Sequence, residues 1–266
     1  MMQGSALPAA RERPARRTLP RTAAVGRRCD WRASLLALCA AASLALAEDA
    51  LRLTWVPGPT GGPANWDPLT FPKVSRHTQY RLVPEADGYA VEARAQASAS
   101  GLIHRLRLEP LTRPLLRWRW KVEALVPGSD VTRKRGDDYP ARLYVTFAYD
   151  AQRAGLGQRL RYETARLIYG EYPPHAGLNY VWDSKAPVGS MFPNAYTDRV
   201  RMIVVQSGTA HLGEWLAYER DIVQDYRATF GADPPTISGI AIMTDADDTG
   251  ESAHAWYGEI SLHARP

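Results

Sequence analysis

Leu115-Leu-Arg-Trp-Arg-Trp-Lys-Val122 alternates apolar and basic side chains over eight positions. Leu116, Trp118, Trp120 and Val122 share one face, while Arg117, Arg119 and Lys121 share the other. That period of two is the signature of a strand with one buried face, and it predicts that both tryptophans enter a core together.

Runs of the same kind occur on either side: Tyr89–Gln96, Leu102–Leu108, Arg142–Tyr149, Leu178–Trp182, Arg199–Gln206, Ile237–Thr244 and His254–Leu262. Turn-forming clusters separate them, among them Pro127-Gly-Ser-Asp130, Gly136-Asp-Asp138, Pro173-Pro174, Pro234-Pro235 and Asp245–Gly250. Roughly ten strands in about 200 residues predict a mainly β protein, an antiparallel β-sandwich or barrel. Two segments depart from the pattern. Gln152–Tyr169 spaces Leu156, Leu160, Leu167 and Ile168 as a helical insertion would. Residues 214–222 read as a strand leading into a short helix that ends at Phe230, with Gly231 as its C-cap. The Pro- and Gly-rich residues 48–75 are expected to be irregular.

The N-terminus reads as a targeting segment. Eight arginines and only two acids precede an uncharged apolar run of 15 residues, Ala33–Ala47, which ends in Ala45-Leu-Ala47. A basic region, a short apolar region and an A-x-A end make a secretory signal peptide over residues 1–47. The run is shorter than the roughly 20 residues a bilayer span needs, so no membrane segment is expected after cleavage. A single domain, residues 48–266, is then expected in the periplasm or outside the cell. Removing the segment takes 33 basic and 28 acidic residues to 25 and 26, a net charge of −1. The basic pI of 9.3 thus belongs to the leader, and net charge gives no reason to expect a nucleic-acid partner. Cys29 and Cys39 also lie in the leader, which excludes disulfides and thiol chemistry from the mature domain.

Three constellations could carry chemistry. Arg105, Arg107, Arg117, Arg119, Lys121, Arg142, Arg199 and Arg201 fall on the polar phase of their strands. They form either a solvated face laced with salt bridges or a guanidinium-lined surface for the carboxylates and hydroxyls of a glycan. In the second case Trp182, Tyr144 and Tyr257 are expected to supply stacking surfaces. Asp137 and Asp138, ahead of Arg142, make either a turn with a local ion pair or a functional carboxylate. In Asp245-Ala-Asp-Asp-Thr-Gly-Glu251 the first positions match a calcium loop, but position 12 is Trp256. A non-EF-hand calcium site at Asp245, Asp247, Asp248 and Glu251 and neutralisation by arginine are both open, with arginine preferred. The six histidines show no zinc spacing, and no nucleophile elbow, Walker A or dinucleotide fingerprint is present.

Trp118-Arg-Trp120, Gly136-Asp-Asp-Tyr-Pro-Ala-Arg142, Leu178-Asn-Tyr-Val-Trp182, Asn194-Ala-Tyr-Thr-Asp198 and the stretch Ile242–Glu251 together resemble a bacterial exported family known as domain of unknown function 3047. The resemblance covers about residues 65–263 and implies no established activity. The closing strand, acidic loop and strand also resemble the last hairpin of galactose-binding-like jelly rolls, which include many carbohydrate-binding modules. That resemblance implies a jelly roll with one or two short helical insertions. The expected function is binding of a glycan or other envelope-derived ligand through Arg119, Asp137, Asp138, Arg142, Tyr144, Trp182, Arg201, Asp245 and Tyr257. The alternatives are a glycoside hydrolase or polysaccharide lyase using Asp137 or Asp138 with Arg119 and Tyr257, and a structural envelope protein.

Overall fold

The computed structural model describes residues 50–59, 61–86, 88–150, 155, 157 and 174–266. The expected signal peptide and, apart from Gly155 and Gly157, the expected helix at 152–169 lie outside the described residues. In chain order the strands are β1 (Leu51–Leu53), β2 (Asp67–Leu69), β3 (Gln79–Glu85), β4 (Gly88–Gln96), β5 (Ala99–Leu108), β6 (Leu115–Ala124) and β7 (Ala141–Phe147). Then follow β8 (Ala176–Asp183), β9 (Met191–Asn194), β10 (Thr197–Ser207), β11 (Leu216–Asp221), helix α1 (Ile222–Phe230), β12 (Ile237–Asp245) and β13 (Ser252–His263). Two of the short strands, β1 and β2, fall in the N-terminal segment expected to be irregular.

The first sheet has the order β11-β6-β13-β4-β3, with β1 also paired to β13. The second has the order β2-β5-β12-β7-β8-β10-β9. The chain passes repeatedly between them, β4 to β5, β5 to β6, β6 to β7, β11 to β12 and β12 to β13, as a jelly-roll sandwich requires. One pairing departs from the antiparallel expectation: β10 runs parallel to β8. β9 lies at the sheet edge, and the turn after Asn194 brings β10 back between β9 and β8.

The alternation in β6 sets the core. Leu116, Trp118, Trp120 and Val122 are all buried. Trp118 packs against Trp120, Tyr180 and Tyr218 with ring centroids 5.6, 5.2 and 5.3 Å away, joining both sheets. Between β11 and β12, α1 closes one end of this core. Asp221 caps it by accepting from the backbone of Val223 and Gln224, both at 3.0 Å. Gly231, at φ 68°, ends it in the left-handed conformation the sequence predicts.

Four sequence expectations about exposure are corrected by the layering. Trp182 is fully buried on the inner face of β8, its Nε1 donating to the Gly208 carbonyl at 3.1 Å, so it offers no stacking surface. Tyr257 is likewise buried and spans the sandwich, its hydroxyl donating to the Met243 carbonyl at 2.6 Å. Arg142 does point to the outer side of the second sheet, but that side is covered. Tyr139 and Val131 pack there with Val181, Met202 and Val204, and Arg142 is 2% exposed. Arg201 shares the phase of Ile203 and Val205, both in the core, and its guanidinium lies 5.3 Å from the Phe230 ring. Among the described residues no helix is long and apolar enough to cross a membrane.

Candidate functional site

Two constellations emerge, one on each side of the sandwich. On the outer side of the second sheet, the residues before β7, the turn after β9 and the loop between β12 and β13 meet around Arg142. Its Nε donates to Asp245 Oδ1 at 2.7 Å and its Nη2 to Asp245 Oδ2 and the Asp137 carbonyl. Nη1 lies 3.6 Å from Asp137 Oδ1 and 3.3 Å from the Tyr144 hydroxyl. The Tyr139 ring covers the guanidinium at 4.4 Å. Asp138 accepts from the backbone N–H of Asp248 at 3.3 Å and of Thr249 at 2.6 Å, which fixes the acidic loop. Asn194 donates to Asp137 Oδ2 at 2.9 Å, and the Tyr196 hydroxyl donates to the Asp248 carboxylate at 2.7 Å.

Of the carboxylates gathered here, Asp245 and Asp137 contact the Arg142 guanidinium, while Asp138 and Asp248 take other donors. Burial, opposed by Arg142, pushes the Asp245 carboxyl up from its ordinary range. Burial and the charges of Asp138 and Asp248 push Asp247 up as well. Burial, partly offset by Arg142, raises the Tyr144 hydroxyl to about 12. Asp138, Asp245 and Asp247 each offer an oxygen within 4.8 Å of the others, the spacing a cation needs. Both oxygens of Asp245 already face Arg142, and both of Asp138 accept backbone N–H groups, so the loop is organised by protein donors. Glu251 accepts from the Gly128 backbone at 3.0 Å.

Asp137, Asp138, Arg142, Tyr144 and Asp245 therefore come together, while Tyr257 touches the group only through its hydroxyl, 3.3 Å from the Arg142 backbone N–H. Arg119 does not join them. It lies on the outer face of the first sheet, 4.4 Å over the Trp215 ring and 3.9 Å from Glu85. The catalytic grouping of Asp137 or Asp138 with Arg119 and Tyr257 is not assembled, because β6 and β7 belong to opposite sheets.

The second constellation is that outer face of the first sheet. Strand register places Arg81 beside Glu92, Glu92 beside Trp256, and Trp256 beside Lys121. Trp215, just before β11, lies next to Lys121 in the same row. The Lys121 ammonium sits 4.2 Å from the Trp256 ring and 5.4 Å from the Trp215 ring. A Cβ at 258 would lie 2.5 Å from Arg119 Cγ and Nε, so a side chain there would displace Arg119.

Glu92 is buried and accepts from Arg81 Nη2 at 2.6 Å and Arg94 Nη2 at 2.7 Å. Burial would raise its carboxyl, but the hydrogen bonds from Arg94, His254 and Arg81 outweigh that and hold it at about 2. His254 stacks on Trp256 at 3.9 Å, with Nε2 2.9 Å from Glu92 Oε1 and Nδ1 against Glu123 Oε2. Beside them opens a cleft of about 860 Å³, walled by Arg76, Gln79, Arg94, Gln96, Ser252 and His254. A second cleft of about 480 Å³ opens further along the same face, walled by Arg117, Arg119, Glu219, Glu259, Ser261 and His263.

Sequence reasoning placed Arg119 and Lys121 on this face but missed Trp215, Trp256, Glu92, Arg94 and His254. The alternation of His254 and Trp256 with Ala253, Ala255 and Tyr257 held the needed signal for the last strand.

A sequence model described as "Protein of unknown function (DUF3047)" matches residues 64–261. The chain belongs to that family. No curated protein matches the chain. Among similar solved structures is the family 11 carbohydrate-binding module of the cellulosomal cellulase Lic26A-Cel5E of Clostridium thermocellum. It is 9% identical, with 81% of this chain and 95% of that one covered and a TM-score of 0.40. A family 11 module from the same organism, in complex with a β-1,3-1,4-mixed-linked tetrasaccharide, matches with the same coverage at 10% identity and a TM-score of 0.39. A variant of the family 29 module CBM29-2 matches at 10% identity, over 80% of this chain and 90% of that one, with a TM-score of 0.31.

Proposed function

We propose that this chain is an exported binding domain for a glycan that carries carboxylates, taken up in the larger cleft on the first sheet. The observation that carries the reading is the chemistry of the walls. Arg76, Gln79, Arg94, Gln96, Ser252 and His254 supply donors for carboxylates and hydroxyls. Exposed Arg76 has no carboxylate partner among the described residues, so its charge is free for a ligand. Export is the setting in which such a ligand would be met, and it rests on the N-terminal pattern.

The test is binding of the purified mature domain to an array of neutral and uronate-containing glycans, followed by calorimetry. Retention of uronate glycans, weakened about tenfold by Arg76→Ala, is expected. Equal retention of neutral glycans, or indifference to Arg76→Ala, overturns the reading.

One observation favours a second reading, catalysis in the same cleft. His254 presents both ring nitrogens to carboxylates, Nε2 2.9 Å from Glu92 Oε1 and Nδ1 against Glu123 Oε2, an arrangement that suits proton transfer at the cleft wall. Release of reducing ends or unsaturated sugars from a bound polymer, abolished by His254→Gln, would establish it.

A further inference from the structure

The two clefts lie on one sheet face and are connected through residues of the same strands. Along β6 the outward positions run Arg117 and Arg119 in the smaller cleft, Lys121 between, and Glu123 in the larger. Along β13 they run Ser261 and Glu259 in the smaller cleft, Trp256 between, and His254 and Ser252 in the larger. Six residue steps from Arg117 to Glu123 span about 20 Å of strand, more than a single sugar fills.

The ground between the clefts is built from Trp215, Lys121 and Trp256 side by side, flat rings with a cation over them. Arg117 and Arg94 are engaged by Glu219 and Glu92. Lys121, in contrast, has no carboxylate partner among the described residues, and neither does Arg76 at the far end. Two cations without a carboxylate partner, Arg76 in the larger cleft and Lys121 between the clefts, complement a polyanion long enough to reach both rather than a neutral or compact ligand.

We propose that this face binds a linear uronate-containing polysaccharide along the strand direction, occupying both clefts at once with Lys121, Trp215 and Trp256 as the bridge. The proposal rests on the glycan reading above and adds the orientation, the second cleft and the chain length. Occupying two linked subsites makes the second contact intramolecular, so affinity rises with chain length until both are filled.

The test is calorimetry with oligogalacturonates and alginate oligomers of graded length, dimer, tetramer and hexamer. The expected result is a hexamer bound about tenfold or more tighter than the dimer. Lys121→Ala and Arg119→Ala should each remove most of that gain. Their melting temperatures, measured alongside, report that the sheet is intact. Quenching of tryptophan fluorescence by the hexamer should be reduced in Trp256→Phe. Equal affinity for dimer and hexamer, or a length dependence untouched by Lys121→Ala and Arg119→Ala, overturns this proposal and leaves binding in the larger cleft standing. Absence of binding by any uronate oligomer overturns both.

Discussion

Arg142 holds Asp245 with both ends of its guanidinium fork, Nε on Oδ1 at 2.7 Å and Nη2 on Oδ2, and each side chain is only 2% exposed. The pair joins the first residues of β7 to the last of β12, and through Asp137 and Asp138 it ties in the loops on either side. Removing one partner leaves a buried charge without its counter-ion, which costs about 3–5 kcal/mol. Asp245→Ala should therefore destabilise the domain by that amount in denaturant melts. The double change Asp245→Leu with Arg142→Met should cost less than the sum of its parts, since no charge is stranded. A single Asp245→Ala change costing under about 1 kcal/mol would show that the pair is not buried as described.

The phase of β6 has a direct test. Trp118→Ala removes an indole packed against three other rings and should cost about 3–5 kcal/mol. Arg117→Ala, one residue away but paired to Glu219 at the surface, should change stability by less than about 1 kcal/mol. Equal effects at the two positions would invert the strand.

Alternation carried much of the fold because a strand writes its own burial into every second residue. β6, β12, β13 and the Asp221–Gly231 helix with its cap were legible for that reason. Alternation says which side a residue takes, not what lies over that side. Arg142 therefore reads as part of an open basic face, solvated or ligand-binding, though the chain around Tyr139 folds across it. Trp182 and Tyr257 were assigned to ligand stacking for the same reason, although both face the core. The acidic loop and the Gly136–Arg142 segment could be singled out separately, but their meeting depends on β7 and β12 becoming neighbours, a long-range pairing with no local mark. The parallel β8–β10 pair is equally unmarked.

Glu92 predicts an acid limb in the stability profile. Its carboxyl sits at about 2 instead of the ordinary 4.5, so folding favours the ionised form. The stabilisation is complete above about pH 4.5 and is lost as pH falls through about 2, at most about 3 kcal/mol for this shift. Urea melts of the wild type should show stability declining across that window. Glu92→Gln should flatten this part of the profile and be less stable than wild type at pH 7. An unchanged acid limb in Glu92→Gln would place the effect on other carboxylates.

The acidic loop separates arginine from calcium as its neutraliser. Asp245 is held by Arg142 and Asp138 by two backbone N–H groups, which leaves Asp247 as the third member of the carboxylate cluster. Its carboxyl is pushed up by burial first and then by the charges of Asp138 and Asp248, so its ionised form is strained in the folded state. If arginine and the backbone suffice, Asp247→Asn relieves repulsion and should raise stability by up to about 1 kcal/mol, or about 2–4 °C in melting temperature. Chelator should then leave the melting temperature of the wild type unchanged. If calcium occupies the cluster, both signs reverse. Asp247→Asn removes a ligand and destabilises, chelator lowers the melting temperature by several degrees, and added calcium restores it by mass action. The paired measurement, chelator on wild type and on Asp247→Asn, decides between them, because loss of a metal ligand makes the variant insensitive to chelator. Relief of repulsion instead leaves both proteins insensitive, with the variant the more stable.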